Sequence, residues 1–212
     1  HDVTATTTDP RKLDMIRAMG ARGVVMNGLD AASVGEAVAA ASPEVVVHQM
    51  TAIPPTPDLK HMDRWFAVTN RLRTEGTDHL LAAAEAAGVQ HVVAQSYGGW
   101  NGLRRDGWVK TEEDPLDMLE GTPAYTVMRA IRHVEDSVLA IGGAVLRYGW
   151  LYDSGAMEST VELVRRRQFP IIGGGQGRVS WVHTHDAASA TVLAVEQRAR
   201  GIFNVVDDEP AP

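Results

Sequence analysis

Residues 68 to 96 read VTNRLRTEGTDHLLAAAEAAGVQHVVAQS, in which a long helical pattern passes into a short apolar strand. The helical pattern begins at about Lys60, and Gly88 ends it. Upstream, EVVVHQ (44–49) is an apolar run of the type that is buried on both faces of a sheet, and the proline-rich AIPPTPD connects it to the helix. The order strand, loop, long helix, strand is that of a crossover between parallel strands.

The same alternation continues on both sides of this unit. Further strands are predicted at DVTATT (2–7), GVVM (23–26), GAVLRYG (143–149), VSWVH (179–183) and GIFNVV (201–206), and helices within 9–23 and at 29–41, 124–141, 157–166 and 186–197. Strands that alternate with helices imply right-handed crossovers and a parallel sheet covered on both faces. The predicted fold class is therefore α/β, a doubly wound parallel sheet with helices on both faces.

The bulk composition limits the classes of partner. A chain of 212 residues is long enough for one well-buried core, and the formal charge of −7 offers no basic face to a nucleic acid. No apolar run approaches the roughly 20 residues that a membrane span requires. The absence of cysteine fits a reducing cytoplasm and removes thiolate catalysis. We expect a soluble, cytoplasmic protein that binds neither nucleic acid nor membrane.

The stretch FPIIGGGQGRVSW (169–181) is rich in glycine, but its position argues against a phosphate-binding loop. Such a loop must open a helix, whose N-terminus supplies N–H groups and a positive dipole to the pyrophosphate. GGGQG is followed by an alternating strand pattern instead, which predicts a tight turn. Since no other strand–helix junction has the G-x-G-x-x-G spacing, we expect that loop upstream of His1, and the ending DDEPAP leads us to expect a cut at that end too.

Several segments, in order along nearly the whole chain, resemble those of one family. They are VVMNGLDAASV, VVVHQMTA, VTNRLRTEGTDHLLAAAEAAGVQHVVAQS with its N-x-x-G-T-x-x-L-L pattern, VLRYGWLYDSGA, SWVHTHDAASATVLAV and IFNVVDDEP. Together they resemble the short-chain dehydrogenase/reductase superfamily, in its extended or atypical NAD-dependent epimerase/dehydratase branch. The resemblance implies a single Rossmann-like domain over 1–212, with a nucleotide-binding part at about 1–150 and the start of a smaller, truncated substrate-side part at about 151–212.

The resemblance also implies which residues face the cofactor, NAD or NADP. Thr6, Thr7 and Thr8 would face the adenosine ribose, Asn27 and Gly28 the adenine, and Met50, Thr51 and Ala52 the ribose on the nicotinamide side, while Asn70 would join the water network of the active site. Hydroxyls followed by Arg11 and Lys12 tolerate a 2′-phosphate better than a carboxylate does, which favours NADP.

Hydride transfer in this family uses a serine, a tyrosine and a lysine four residues after the tyrosine. Ser96 matches the serine. If Glu135 is aligned with the acidic residue that follows the lysine, Val127 and Ile131 occupy the other two positions and the pair is lost. A shift of two residues gives Tyr125 and Arg129, which are one helical turn apart and able to meet. Alternatively, Tyr125 only anchors the preceding loop.

Three other features remain open. Tyr97 is a second candidate acid, although neighbouring residues of a strand face opposite sides. The long loop from Tyr97 to Pro123, with Trp100 and Trp108, is expected to lie over a site. His183, His185 and Asp186 have the side chains of a metal site, but we interpret Asp186 as the cap of a helix that begins at Ala187 and predict no metal.

These observations lead to one functional hypothesis and one alternative. The hypothesis is an NAD(P)-dependent oxidoreductase or epimerase/dehydratase-like enzyme that acts on a small carbonyl or hydroxyl substrate. The alternative, suggested by the missing tyrosine–lysine pair, is a nucleotide-sensing or scaffold protein that has lost catalysis. The resemblance further implies a homodimer, formed by the helices that follow the fourth and fifth strands of the family's sheet.

Overall fold

A computed structural model describes residues 1–54, 58, 60–98, 107, 109–155, 157–168, 174–175 and 177–211 of the chain. Trp100 and Trp108, and parts of the predicted long loop and of the GGGQG turn, lie outside the described residues.

Strands and helices alternate along the described chain. The strands are β1 (Thr4–Thr7), β2 (Arg22–Val25), β3 (Val45–His48), β4 (His91–Tyr97), β5 (Ala144–Tyr148), β6 (Trp150–Tyr152), β7 (Trp181–His183) and β8 (Gly201–Val205). The α-helices are α1 (Leu13–Ala18), α2 (Ala31–Ala41), α3 (Met62–Trp65), α4 (Ala67–Arg71), α5 (Thr77–Ala86), α6 (Tyr125–Ala140), α7 (Glu158–Arg165) and α8 (Thr184–Glu196).

The described strands form three parallel ladders. One joins β3, β4, β5 and β8 in that order, a second joins β1 to β2, and a third joins β6 to β7. Every pair within these ladders is parallel; Val47 lies beside Val93, for example, and Val93 beside Ala144. The predicted class, an α/β fold with a parallel sheet, is confirmed.

Two apolar layers cover the main ladder. On one face, residues of α2, α5 and α6 pack against alternate strand residues such as Val46, Val92 and Val145. On the other face, Ala187 and Ala194 of α8 pack against Val93, Ala144, Leu146 and Tyr148. Because β4 and β5 are buried from both sides, their sequences are largely apolar rather than strictly alternating.

The long helix predicted over 60–87 is interrupted. It consists of α3, a break at Phe66, α4, a π-helical turn at Leu72–Gly76, and α5. Turns of this type are rare inside helices and frequent at functional sites. Gly88, at φ 71°, ends the run as predicted.

The predicted cap of the last helix is wrong. α8 begins at Thr184, three residues before the expected start, and its N-cap is His183, whose side chain accepts a hydrogen bond from the N–H of His185. Asp186 lies inside the first turn, where its charge is favourable to the helix dipole. The His183 ring nitrogen provides the acceptor that the prediction assigned to the carboxylate.

Gly149 lies where β5 passes into β6, so close to β7 that a methyl group does not fit. A Cβ built there would stand 2.6 Å from the carbonyl oxygen of Ser180 and 3.1 Å from the carbonyl carbon of Trp181. We expect Gly149→Ala to lower the free energy of unfolding by about 1–3 kcal/mol, measured by urea denaturation. The control is Gly35→Ala in α2, where the methyl enters open space. That change should raise stability by about 0.5–1 kcal/mol, and equal effects of both would contradict the packing described.

Candidate functional site

The carboxyl ends of the first three strands lead into the residues predicted to contact a cofactor. Thr7 ends β1 and Thr8 follows it, Asn27 and Gly28 follow β2, and Met50 follows β3. A Cβ at Gly28 would stand 2.6 Å from the sulfur of Met50, so the ends of β2 and β3 meet although no ladder joins these two strands. In open parallel sheets, ligands bind outside this edge.

Turn hydrogen bonds hold several of these residues. The hydroxyl of Thr7 accepts the N–H of Asp9 at 3.1 Å, and the side-chain oxygen of Asn27 accepts the N–H of Leu29 at 3.1 Å. The N–H of Ala52 donates to the buried hydroxyl of Thr69 in α4 at 3.0 Å. The edge is therefore shaped by local side-chain contacts, and the cofactor roles of these residues stay predictions.

Ser96 belongs to a buried ion-pair network. Its hydroxyl donates to Oε1 of Glu135 at 2.6 Å, and Nε and Nη2 of Arg147 donate to the two carboxylate oxygens at 2.9 and 2.7 Å. The side chains of Glu135 and Arg147 are each only 4% exposed. In this arrangement the Ser96 proton is directed at Glu135 in α6, while its oxygen keeps lone pairs that can accept another hydrogen bond.

Tyr125 and Arg129 meet as their spacing predicts. The Arg129 guanidinium lies 5.9 Å from the centre of the Tyr125 ring. Arg129 also lines, together with Asn70, a surface cavity of about 280 Å³ between α4 and α6. Glu135, the partner of Ser96, is ten residues beyond Tyr125 on α6, about 15 Å along the axis, so Ser96 and Tyr125 contact different parts of the helix.

Tyr97 is held by apolar and aromatic neighbours. It packs against the buried cluster of Leu116, Val127, Met128 and Ile131, and its ring centre lies 6.4 Å from that of Trp150, edge to face. Burial raises the pKa of the Tyr97 hydroxyl, and a hydrogen bond from the Trp150 indole offsets part of that rise. Tyr97 is therefore a neutral phenol that can take part in hydrogen bonds at neutral pH.

A second polar chain at this edge was not predicted. Nδ1 of His48 accepts the N–H of Met50 at 3.3 Å, and Nε2 lies 2.8 Å from the hydroxyl of Thr77. That hydroxyl in turn donates to the carbonyl of Arg73 at 2.8 Å. These contacts require a neutral imidazole with its proton on Nε2. Burial, and after it the charge of Arg73, lower the pKa of His48 to about 4.

Arg73 is the other residue that the sequence prediction missed. It lies in the π-helical turn, and burial lowers the pKa of its guanidinium to about 10, so it stays charged at neutral pH. The spacing of the N-x-x-G-T pattern contains the signal: counted back from Gly76 and Thr77, the first position of the pattern is Arg73, and Asn70 stands three residues too early. Arg73 therefore occupies the position assigned to Asn70.

The edge has groups of the kinds that a dinucleotide requires. Val25 and Val47 expose 48% and 40% of their surface beside it. Nη1 of Arg73 is one of four buried side-chain atoms that have no hydrogen-bond partner in the described part of the chain. Apolar strand surface and hydroxyl and amide side chains at the carboxyl ends of parallel strands are the features of a Rossmann-like, dinucleotide-binding protein.

Comparison with known proteins gives the family. A family model described as NAD(P)H-binding matches residues 1–191, and the chain belongs to that family. A Streptomyces protein named 3-diazoavenalumate denitrifying reductase is 41% identical over 219 residues, which cover 100% of this chain and 70% of that protein. An uncharacterized protein of Sinorhizobium fredii is 30% identical over 186 residues, 84% of this chain and 50% of its own length.

A solved structure shows the same fold. The UDP-glucose 4-epimerase of Thermus thermophilus, in complex with NAD, aligns with a TM-score of 0.67 and 21% identity over 100% of this chain and 79% of its own. The expected epimerase/dehydratase type of fold is therefore confirmed. With a reductase among its relatives, the chain is an NAD(P)-dependent, oxidoreductase-like enzyme. In the described residues, no helix combines the length and the apolar character needed to cross a membrane.

The buried His48 makes stability depend on pH. Its pKa is about 4 in the folded chain and about 6.5 when exposed, so the unfolded chain binds the extra proton between these values. We expect this group to lower the free energy of unfolding by roughly 3 kcal/mol as the pH falls from 7 to 4. His48→Gln should remove that part of the slope in urea denaturation at each pH. His185→Gln, at an exposed histidine, is the control, and an unchanged slope in His48→Gln would contradict the neutral buried imidazole.

Proposed function

We propose that this protein is a reductase that transfers hydride from NAD(P)H to a small electrophilic substrate, such as a carbonyl compound. The observation that carries the proposal is the 41% identity to a named reductase along the whole chain, combined with a parallel sheet of the Rossmann type. The reduced nicotinamide supplies the hydride when it is bound. The protein's own residues bind the substrate, orient it and supply the proton.

For the proton we propose Tyr125, with Arg129 beside it. The guanidinium lies 5.9 Å from the ring centre, and arginine keeps its own charge when the phenol gives up its proton. Ser96 is proposed to position the substrate. Since its proton is directed at Glu135, it would first accept a hydrogen bond, or exchange Glu135 for the substrate as hydrogen-bond partner.

Turnover by the purified protein tests this function. We expect NADPH or NADH to be consumed with 3-diazoavenalumate, the compound in the name of the Streptomyces relative, or with a member of a carbonyl panel, followed by nicotinamide absorbance. On a carbonyl substrate, whose oxygen must be protonated, Tyr125→Phe should lower kcat by about 100-fold or more, as loss of a general acid does. Tyr148→Phe is the control, because that hydroxyl bonds to Thr191 in the core. Dinucleotide binding without turnover on any of these compounds would favour the non-catalytic alternative.

For the cofactor we propose a preference for NADP over NAD. Three hydroxyls, those of Thr6, Thr7 and Thr8, lie where β1 ends. Arg11 is engaged there, because its Nη2 and Nε donate to the carboxylate of Asp9 at 2.8 and 2.9 Å. This pair neutralises the carboxylate that would repel a 2′-phosphate. Lys12 next to it is exposed and supplies the cation.

Lys12→Gln should change the affinity for NADPH but not that for NADH. We expect it to weaken binding of NADPH by about five-fold or more, as loss of one phosphate contact of roughly 1 kcal/mol would, and to leave NADH unchanged. Fluorescence titration of both dinucleotides measures the ratio. The matched control is Lys60→Gln, another exposed lysine. An equal loss for NADH and NADPH would show that Lys12 does not recognise the 2′-phosphate.

The division of the chain and its assembly are part of the same proposal. We propose that about 1–150 holds the nucleotide and that the smaller substrate side starts at about 151. We also propose a cytoplasmic homodimer formed through α4, α5 and α6. Sedimentation analysis of the purified protein measures the mass of the assembly.

A further inference from the structure

Among the described residues, Arg73 has a charged side chain that no acid pairs and no hydrogen-bond acceptor contacts. None of its side-chain N–H groups donates a hydrogen bond to a described residue, and Nη1 is both buried and unpaired. Its described contact is with the ring of Phe66, whose centre lies 5.8 Å from the guanidinium carbon. A cation over a ring is attracted to it, but that contact uses none of the five N–H donors.

Arg71, two residues earlier in the same helical segment, shows how an arginine with a partner differs from Arg73. Arg71 is exposed, and its Nε and Nη2 donate to the carboxylate of Glu75 at 2.9 and 2.7 Å. Asp78, the other acid nearby in sequence, bonds to His133 at 2.7 Å. Both acids around the turn thus have other partners. The fold keeps its more buried arginine unpaired, although burying an unpaired charge costs free energy.

The position of Arg73 is fixed by contacts with the carboxyl edge of the sheet, which we call the ligand edge. Its turn packs on that edge, since a Cβ at Gly76 would stand 3.2 Å from the carbonyl of Gly28 and 3.4 Å from Cε of Met50. Thr77 holds its carbonyl, and the neutral His48 of β3 holds Thr77. Phe66 under the guanidinium packs in the same cluster as Tyr97, at the end of β4. The turn that contains Arg73 therefore packs on the residues that follow β2 and β3, and its guanidinium lies beside the cluster that Tyr97 also contacts.

We infer that Arg73 binds an oxyanion of the bound ligand. An unpaired guanidinium with free donors, fixed at the ligand edge, matches a carboxylate or a phosphate, which accept two parallel hydrogen bonds. The oxyanion comes either from a carboxylate on the substrate or from a phosphate of the cofactor. The inference deepens the proposed function, on which it rests, by assigning an anionic group to the ligand that meets this side of the site.

Binding to the purified protein distinguishes the two sources. One arm titrates NADPH and NADH; the other titrates cinnamate, with cinnamyl alcohol as its uncharged counterpart, in the presence and absence of NADPH. Cinnamate is chosen because Phe66, Tyr97 and Trp150 make this side aromatic. Each titration is run by calorimetry on the wild type and on Arg73→Gln and Arg73→Lys. The matched control is Arg71→Gln, which removes a cation that already has an acidic partner.

We expect Arg73→Gln to weaken binding of the anionic ligand by about 30-fold or more, because one partner of a buried charge pair is lost. Arg73→Lys should recover part of the affinity. A loss of affinity for cinnamate alone identifies a substrate carboxylate as the bound anion. A loss of affinity for the dinucleotides alone identifies a cofactor phosphate. Cinnamyl alcohol should show no dependence on Arg73. Unchanged affinity of every anionic probe in Arg73→Gln overturns the inference.

Thermal unfolding without ligand separates a binding role from a structural one. If the Arg73 charge is unpaired until an anion binds, then removing it should not destabilise the free protein. Arg73→Met, which keeps the apolar contact with Phe66, should therefore leave Tm unchanged or raise it. A lowered Tm with unchanged binding would make Arg73 a structural residue and overturn the inference. A wild type that binds neither NADPH nor NADH contradicts the proposed function instead, and the cinnamate titrations then decide the anion site by themselves.

Discussion

The buried pair of Glu135 and Arg147 joins the three elements at the centre of this protein. Glu135 comes from α6 and Arg147 from β5, and Ser96 of β4 donates the third hydrogen bond to the same carboxylate. Their pairing offsets much of the cost of burying these two charges, and it holds the two strands and the helix together. The same contact constrains chemistry, because it directs the hydroxyl of the predicted catalytic serine toward the core.

Arg73, at the ligand edge, is a second arginine largely removed from water, and it differs from Arg147 in its partner. Arg147 is buried beside a carboxylate, whereas among the described residues the contact of the Arg73 guanidinium is with the face of a ring. A fold can carry such a group where stability is not the only requirement, as functional sites commonly do. In a reductase of this family, a fixed cation next to an aromatic wall would select anionic, planar ligands before any hydride moves.

The irregular helix between β3 and β4 links these features. Its π-helical turn places Arg73 and Gly76 against Gly28 and Met50, and a regular helix would place the same side chains at other angles. His48 supports the turn through Thr77, which requires the imidazole to stay neutral. The turn, the histidine and the unpaired arginine therefore act as one unit, in which a change to one member alters the others.

The sequence by itself determined the fold class, the family and the residues that follow each strand. Those properties depend on local periodicity and on motif order, which a chain displays without folding. It also carried the spacing that points to Arg73, although the motif was first assigned to Asn70. Only the tertiary structure decided that Ser96 bonds to Glu135, that His183 caps α8, and that Arg73 lacks an acid while Arg71 has one. Those outcomes depend on burial and on contacts between distant residues, and periodicity contains neither.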